Sequence, residues 1–181
     1  VYEKVIQKKN TKFKNNPMSR LDETHQLPLF QKAELIYQMV KSLVASLPED
    51  DEYIQATKHF MTEDAMIIPT KIAGAEGGDL YPIRMQNAAI IRDHAMHLYV
   101  QVGSLRMHKN YKELEYVQLI RKELDDFRLL FIEWVANFDT NNHIWDDWGL
   151  FNPPGAIPPS DEDNYNDDDF NIDDFFEDDE E

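Results

Sequence analysis

Residues 92–97, RDHAMH, hold the side chains with the most chemical capacity in the chain. An arginine guanidinium is a planar fork of donors that matches phosphate oxygens. A histidine gains and loses a proton near neutral pH, as a general acid or base must. Arg92 and His97 could therefore hold a phosphate and move a proton beside it. Their spacing opposes the pairing. At 3.6 residues per turn, five steps along a helix rotate by roughly 140°, which puts the two on different faces. Polar surface placement is the plainer expectation. His94 and His97, one turn apart, could both donate to a metal. A di-metal site in a helical bundle needs Glu-x-x-His pairs and further inward glutamates. The sequence has no such pairs, so no metal site and no cofactor is expected.

The elements that would position these residues are helices. The sequence holds no cysteine, which excludes disulfides, thiolate metal sites and cysteine nucleophiles. From about residue 28, Phe30, Ala33, Tyr37, Val40, Val44 and Leu47 recur at three- and four-residue steps, predicting one apolar helix face. Pro48 ends it. A second helix starts near Glu52, with Tyr53 or Ile54, Thr57, Phe60, Met61, Ala65 and Ile68 inward. Pro69 falls inside it, but Ile72 and Ala75 continue the pattern, so a kink is expected rather than a stop. Gly77 and Gly78 should end the helix with a left-handed cap. A third helix covers about residues 80–107, with Ile83 or Arg84, Ala88, Ile91, Ala95, Leu98, Tyr99, Val102 and Leu105 inward. A fourth covers about 111–138, with Leu114, Val117, Ile120, Leu124, Phe127, Phe131, Trp134 and Phe138 inward. Short connections between four such helices predict an all-α, up-down-up-down antiparallel four-helix bundle over residues 28–140.

Charge divides the rest. The net charge is −17, but residues 161–181 carry thirteen acids and no Lys or Arg; without them the chain stands at −4. Residues 1–27 read as a flexible basic arm whose Lys8, Lys9, Lys12 and Lys14 could touch phosphates. Residues 141–160 read as an aromatic and proline-rich linker without helical period. Trp145, Trp148 and Phe151 there either staple the chain back onto the bundle or face a partner. Residues 161–181 read as a disordered acidic tail. Its Phe170, Phe175 and Phe176, with Tyr165, offer apolar anchors to a basic partner. Ile172 stands where a calcium loop needs glycine, so no calcium loop is expected. The absence of an apolar run near eighteen residues predicts a cytoplasmic protein with no membrane partner.

Two resemblances bear on function. The stretch IIPTKIAGAEG, residues 67–77, resembles the S-I-P-x-N-I-A-E-G hallmark of the four-helix bundle proteins of ribosomal RNA intervening sequences, with Gly74 and Ala75 inserted before Glu76 and Gly77. LFQKAELIYQMVKSLVASLPEDDEY is similar to that family's first helix, and Gly103-Ser104-Leu105 to the end of its third. The family includes accessory proteins of diversity-generating retroelements. The resemblance implies a non-enzymatic homo-oligomeric adaptor, a pentamer, that binds a reverse transcriptase or another nucleic-acid enzyme, with nucleic acid reached indirectly. The interaction surface expected from the small-residue run is Ala73, Gly74, Ala75, Gly77 and Gly78, together with Tyr81 and Arg84. Separately, Arg92 and His97 resemble the Arg-polar-x3-His signature of HEPN ribonucleases. That likeness implies the alternative, a metal-independent ribonuclease using those two residues.

Overall fold

The computed structural model describes residues 19–49, 51–107 and 114–160. Lys8, Lys9, Lys12 and Lys14, and the tail residues Tyr165, Phe170, Phe175 and Phe176, lie outside the described residues. The described residues are all-helical, with five α-helices and no strand. None of these helices is long and apolar enough to cross a membrane.

A short α1 (Arg20–Gln26) occupies the end of the segment 1–27 that the sequence predicts to be a flexible arm. Ser19 and Asp22 start it by reciprocal capping: the Asp22 N–H donates to Ser19 Oγ, and the Ser19 N–H donates back to Asp22 Oδ2. Thr24 is buried as α1 packs on the two helices that follow.

The second helix, α2 (Pro28–Ser46), begins with a proline at its first turn, where a missing N–H loses no helical bond. Its buried line is Leu29, Ala33, Ile36, Val40 and Leu43. Phe30, Tyr37 and Val44, expected at the centre, flank that line and are half-buried. Helix α3 (Glu52–Glu76) is capped by Asp51, whose carboxylate accepts from the Ile54 N–H at 3.1 Å. Phe60, expected inside, is exposed; Ile54, Met61, Ala65, Ile68, Ile72 and Ala75 fill the core side. The helix continues through Pro69, which has no N–H to donate to the Ala65 carbonyl, so one helical hydrogen bond is missing. Its end corrects the expected left-handed cap. Gly77 has φ −67° and ψ −20°, right-handed values, and its N–H still reaches the Ala73 carbonyl at 3.0 Å.

Helix α4 (Tyr81–Ser104) runs into a single 3-10 turn, Leu105–Met107, and α5 (Leu114–Ala136) follows. Ala88, Ile91, Leu98 and Val102 of α4 and Val117, Ile120, Leu124 and Phe127 of α5 are buried. The four long helices pack in a closed cycle: α2 on α3, α3 on α4, α4 on α5, and α5 on α2. Cross-helix bonds give their directions. Asp64 meets His94 and Glu76 meets Arg84, so α3 and α4 run antiparallel. Lys32 meets Glu123 at 2.5 Å and the Tyr116 hydroxyl donates to the Met39 carbonyl at 3.1 Å, so α2 and α5 do too. Tyr99 lies by Arg121 and Arg84 by Trp134, giving the same for α4 and α5.

The core line of α4 gives a direct test. Ile91 is fully buried, so Ile91→Ala should cost about 2–5 kcal/mol in urea unfolding. Ile83, 44% exposed on the same helix, should change stability by less than about 0.5 kcal/mol when replaced by alanine.

Candidate functional site

Away from its core line, α4 leaves a row of apolar side chains that α5 does not cover. Ala95, Met96, Tyr99 and Val100 from α4, with Phe131 and Ile132 from α5, line a groove of about 590 Å³. Met96 is 52% exposed, Val100 65% and Ile132 56%, so the opening is apolar as well as the floor. Arg92, Asp125 and Arg128 stand on the same lining. Among the described residues none of these three has an ion-pair partner.

The groove is stiffened from below. The Arg121 guanidinium lies over the Tyr99 ring, 3.7 Å from its centroid, and Nη1 donates to the Tyr99 carbonyl at 3.3 Å. That guanidinium crosses α4 where Gly103 leaves room; a Cβ at Gly103 would collide with it. A side chain there would push aside the flexible end of Arg121 and loosen its contacts with Tyr99.

Arg92 and His97 do not converge. Arg92 lines the groove towards α5. His97 is on another side of α4, grouped with His94 and with Asp64 of α3. His94 Nδ1 is 2.6 Å from Asp64 Oδ1, and the two imidazole centroids are 6.4 Å apart in an edge arrangement. His97 also lies 3.8 Å from Asp93. The sequence named both histidines but not Asp64, which is thirty residues upstream of its partner.

The small-residue run is divided. Ala75 is buried in the core and Ala73 lines a narrow cleft with Phe30, Tyr37 and Pro69 between α2 and α3. Gly74 is exposed, with Asn87 as the nearest atom a Cβ would meet, at 3.8 Å. Gly77 is exposed and Gly78 half-buried. Tyr81 is buried. Arg84 is engaged inside the chain: it pairs with Glu76 and lies over the Phe138 ring at 4.4 Å. Glu76 also accepts from the Trp134 indole N–H at 2.8 Å. This cluster fastens the ends of α3, α4 and α5 together, which makes Arg84 a clamp within the fold.

Beyond α5 the chain turns back over the bundle. The Tyr81 N–H donates to the Asn142 carbonyl at 2.8 Å, and the Asn142 side chain donates to the Asp79 carbonyl at 3.0 Å. Residues 146–152 then form a turn around one carboxylate. Asp146 accepts from the N–H groups of Trp148, Leu150 and Phe151 at 2.9–3.1 Å. Gly149, at φ 72°, supplies the left-handed step. The turn holds Trp148 outward, 88% exposed, while Trp145 and Phe151 are half-buried.

The Asp146 carboxyl is held below the usual aspartate range, chiefly by the Phe151 N–H; burial opposes this, and the Trp148 and Leu150 N–H groups add smaller contributions in the same direction as Phe151. A depressed folded-state pKa stabilises the turn above the unfolded value, and that contribution is lost as pH falls through the folded one. The amide signals of Leu150 and Phe151 should therefore shift on acid titration with a midpoint below about 3.9, the ordinary aspartate value. A midpoint at or above that value would show that the bonds do not favour the carboxylate.

Searches of family models, curated proteins and solved structures give no match to this chain.

Proposed function

We propose that the chain is an up-down-up-down four-helix bundle that associates with itself and serves as a non-enzymatic adaptor. The observation that carries this reading is the uncovered groove between α4 and α5. Met96, Val100 and Ile132 are each still half or more exposed, so burying them would contribute about 1–2 kcal/mol each towards the cost of association. The occupant proposed is a second copy of the chain. The rim carries cations, Arg92 and Arg128, and an anion, Asp125, without partners among the described residues. Around a two-fold axis each arginine of one copy could face Asp125 of the other, and an isologous contact needs such self-complementarity. The resemblance to the retroelement accessory bundles implies a ring of five. The mixed charge of this rim favours a two-fold pair instead. By that resemblance, the client bound by the assembly is a reverse transcriptase or another nucleic-acid enzyme, a warrant at the level of fold.

The ribonuclease alternative needs Arg92 and His97 on one phosphodiester. Arg92 lines the groove and His97 lies by Asp64, so the geometry supports the adaptor. RNA incubated with the wild type should stay intact. Cleavage abolished by His97→Ala would restore the alternative.

Sedimentation velocity tests the association. The wild type should sediment as a closed oligomer. Val100→Glu should sediment as a monomer with unchanged helicity, whereas Phe60→Glu, at an exposed site on α3, should leave the assembly intact. A monomeric wild type, or an oligomer indifferent to Val100→Glu, would contradict the proposal.

A further inference from the structure

We infer that Asp64, His94 and His97 form a binding site for one divalent transition ion of the zinc type. The three side chains each place a donor atom within 4.8 Å of the others, two from one helix and one from its antiparallel neighbour. Two imidazoles and a carboxylate are a donor set that zinc accepts. Zinc bonds of about 2.0–2.2 Å at tetrahedral angles put donor atoms roughly 3.4 Å apart. Forming the site therefore opens the 2.6 Å His94–Asp64 pair slightly and draws His97 inward. His97 is free to move, since its side chain is 58% exposed.

A second observation at Asp64 points the same way. This residue is only 6% exposed, and its Oδ2 is buried with no hydrogen-bond partner. A buried carboxylate oxygen without a partner is costly. His94 satisfies Oδ1 alone, so the buried carboxylate is under-satisfied, and a cation bound by it between α3 and α4 would offset that cost. A cation there would neutralise the carboxylate and tie the two helices together. With three protein donors and an exposed side at His97, the fourth position would be open to water, as in zinc sites that are not purely structural. The expectation of no metal rested on the absence of Glu-x-x-His pairs. Donors gathered across two helices need no such local pattern.

The test is zinc titration of the untagged full chain by calorimetry, with unfolding temperature as a second readout. The wild type should show one strong site, distinct from weak binding by the many exposed carboxylates, and zinc should raise its unfolding temperature. His94→Ala and His97→Ala should each weaken the strong site on the order of 10–100-fold or more. His59→Ala removes an exposed histidine with a neighbouring Glu63 and should titrate like wild type. The His97 side chain packs little, so loss of folding does not confound that variant. A wild type with no strong site, or strong binding that survives both His94→Ala and His97→Ala, would overturn the inference. Neither result depends on the oligomeric state.

Discussion

The antiparallel packing of α3 along α4 is the contact on which the other features rest. It buries Ile68, Ile72, Ile91 and Leu98 completely, or within a percent of it. At about 1.5–3 kcal/mol for each buried aliphatic side chain, four such residues contribute several kcal/mol. Against this stand Pro69, whose lost helical bond costs about 3 kcal/mol, and Asp64, an acid taken out of water. The apolar term exceeds the proline cost, which is why α3 remains one helix through residue 69. The same register brings Asp64 to His94 and Glu76 to Arg84, one pair towards each part of the seam.

With that face of α4 committed, its other faces acquire separate roles. Towards α5 the upper part is closed by Arg84, Trp134 and Phe138, and the lower part by Arg121 stacked on Tyr99. Between these two clamps the helices present Met96, Val100 and Ile132 without cover. Rigid ends around an open apolar middle suit a docking surface, because little conformational entropy is lost on binding. The first clamp engages Arg84 within the chain, and Tyr81 beside it is buried.

Helix existence was most legible in α2 and α5, where an apolar face stands against a polar one; α3 is weakly amphipathic and α4 barely so, its apolar side chains being spread over several faces. The centre of each stripe was less so. Phe30, Tyr37 and Phe60 fit the same period as Leu29, Ile36 and Met61, and periodicity cannot say which of two adjacent apolar rows faces inward. Helix α1 is too short for a period to register, although the Ser19–Asp22 capping pair was present in the sequence. The separation of Arg92 from His97 followed from helix rotation alone. Asp64 was not legible as a partner of His94, because their meeting depends on the register between two helices. The groove was hidden for a related reason: Met96, Val100 and Ile132 fall off the core stripe, and a sequence does not reveal whether such residues are isolated or gather across two helices.

The claim that the α4–α5 groove is covered by a second copy can be read at atomic level by isotope-filtered methyl NMR. Equal amounts of methyl-labelled and unlabelled chain are mixed, and only contacts between copies are detected. The account predicts intermolecular contacts to the methyl groups of Met96, Val100 and Ile132. Intermolecular contacts confined to other methyl groups, or none at concentrations where the wild type is fully folded, would contradict it.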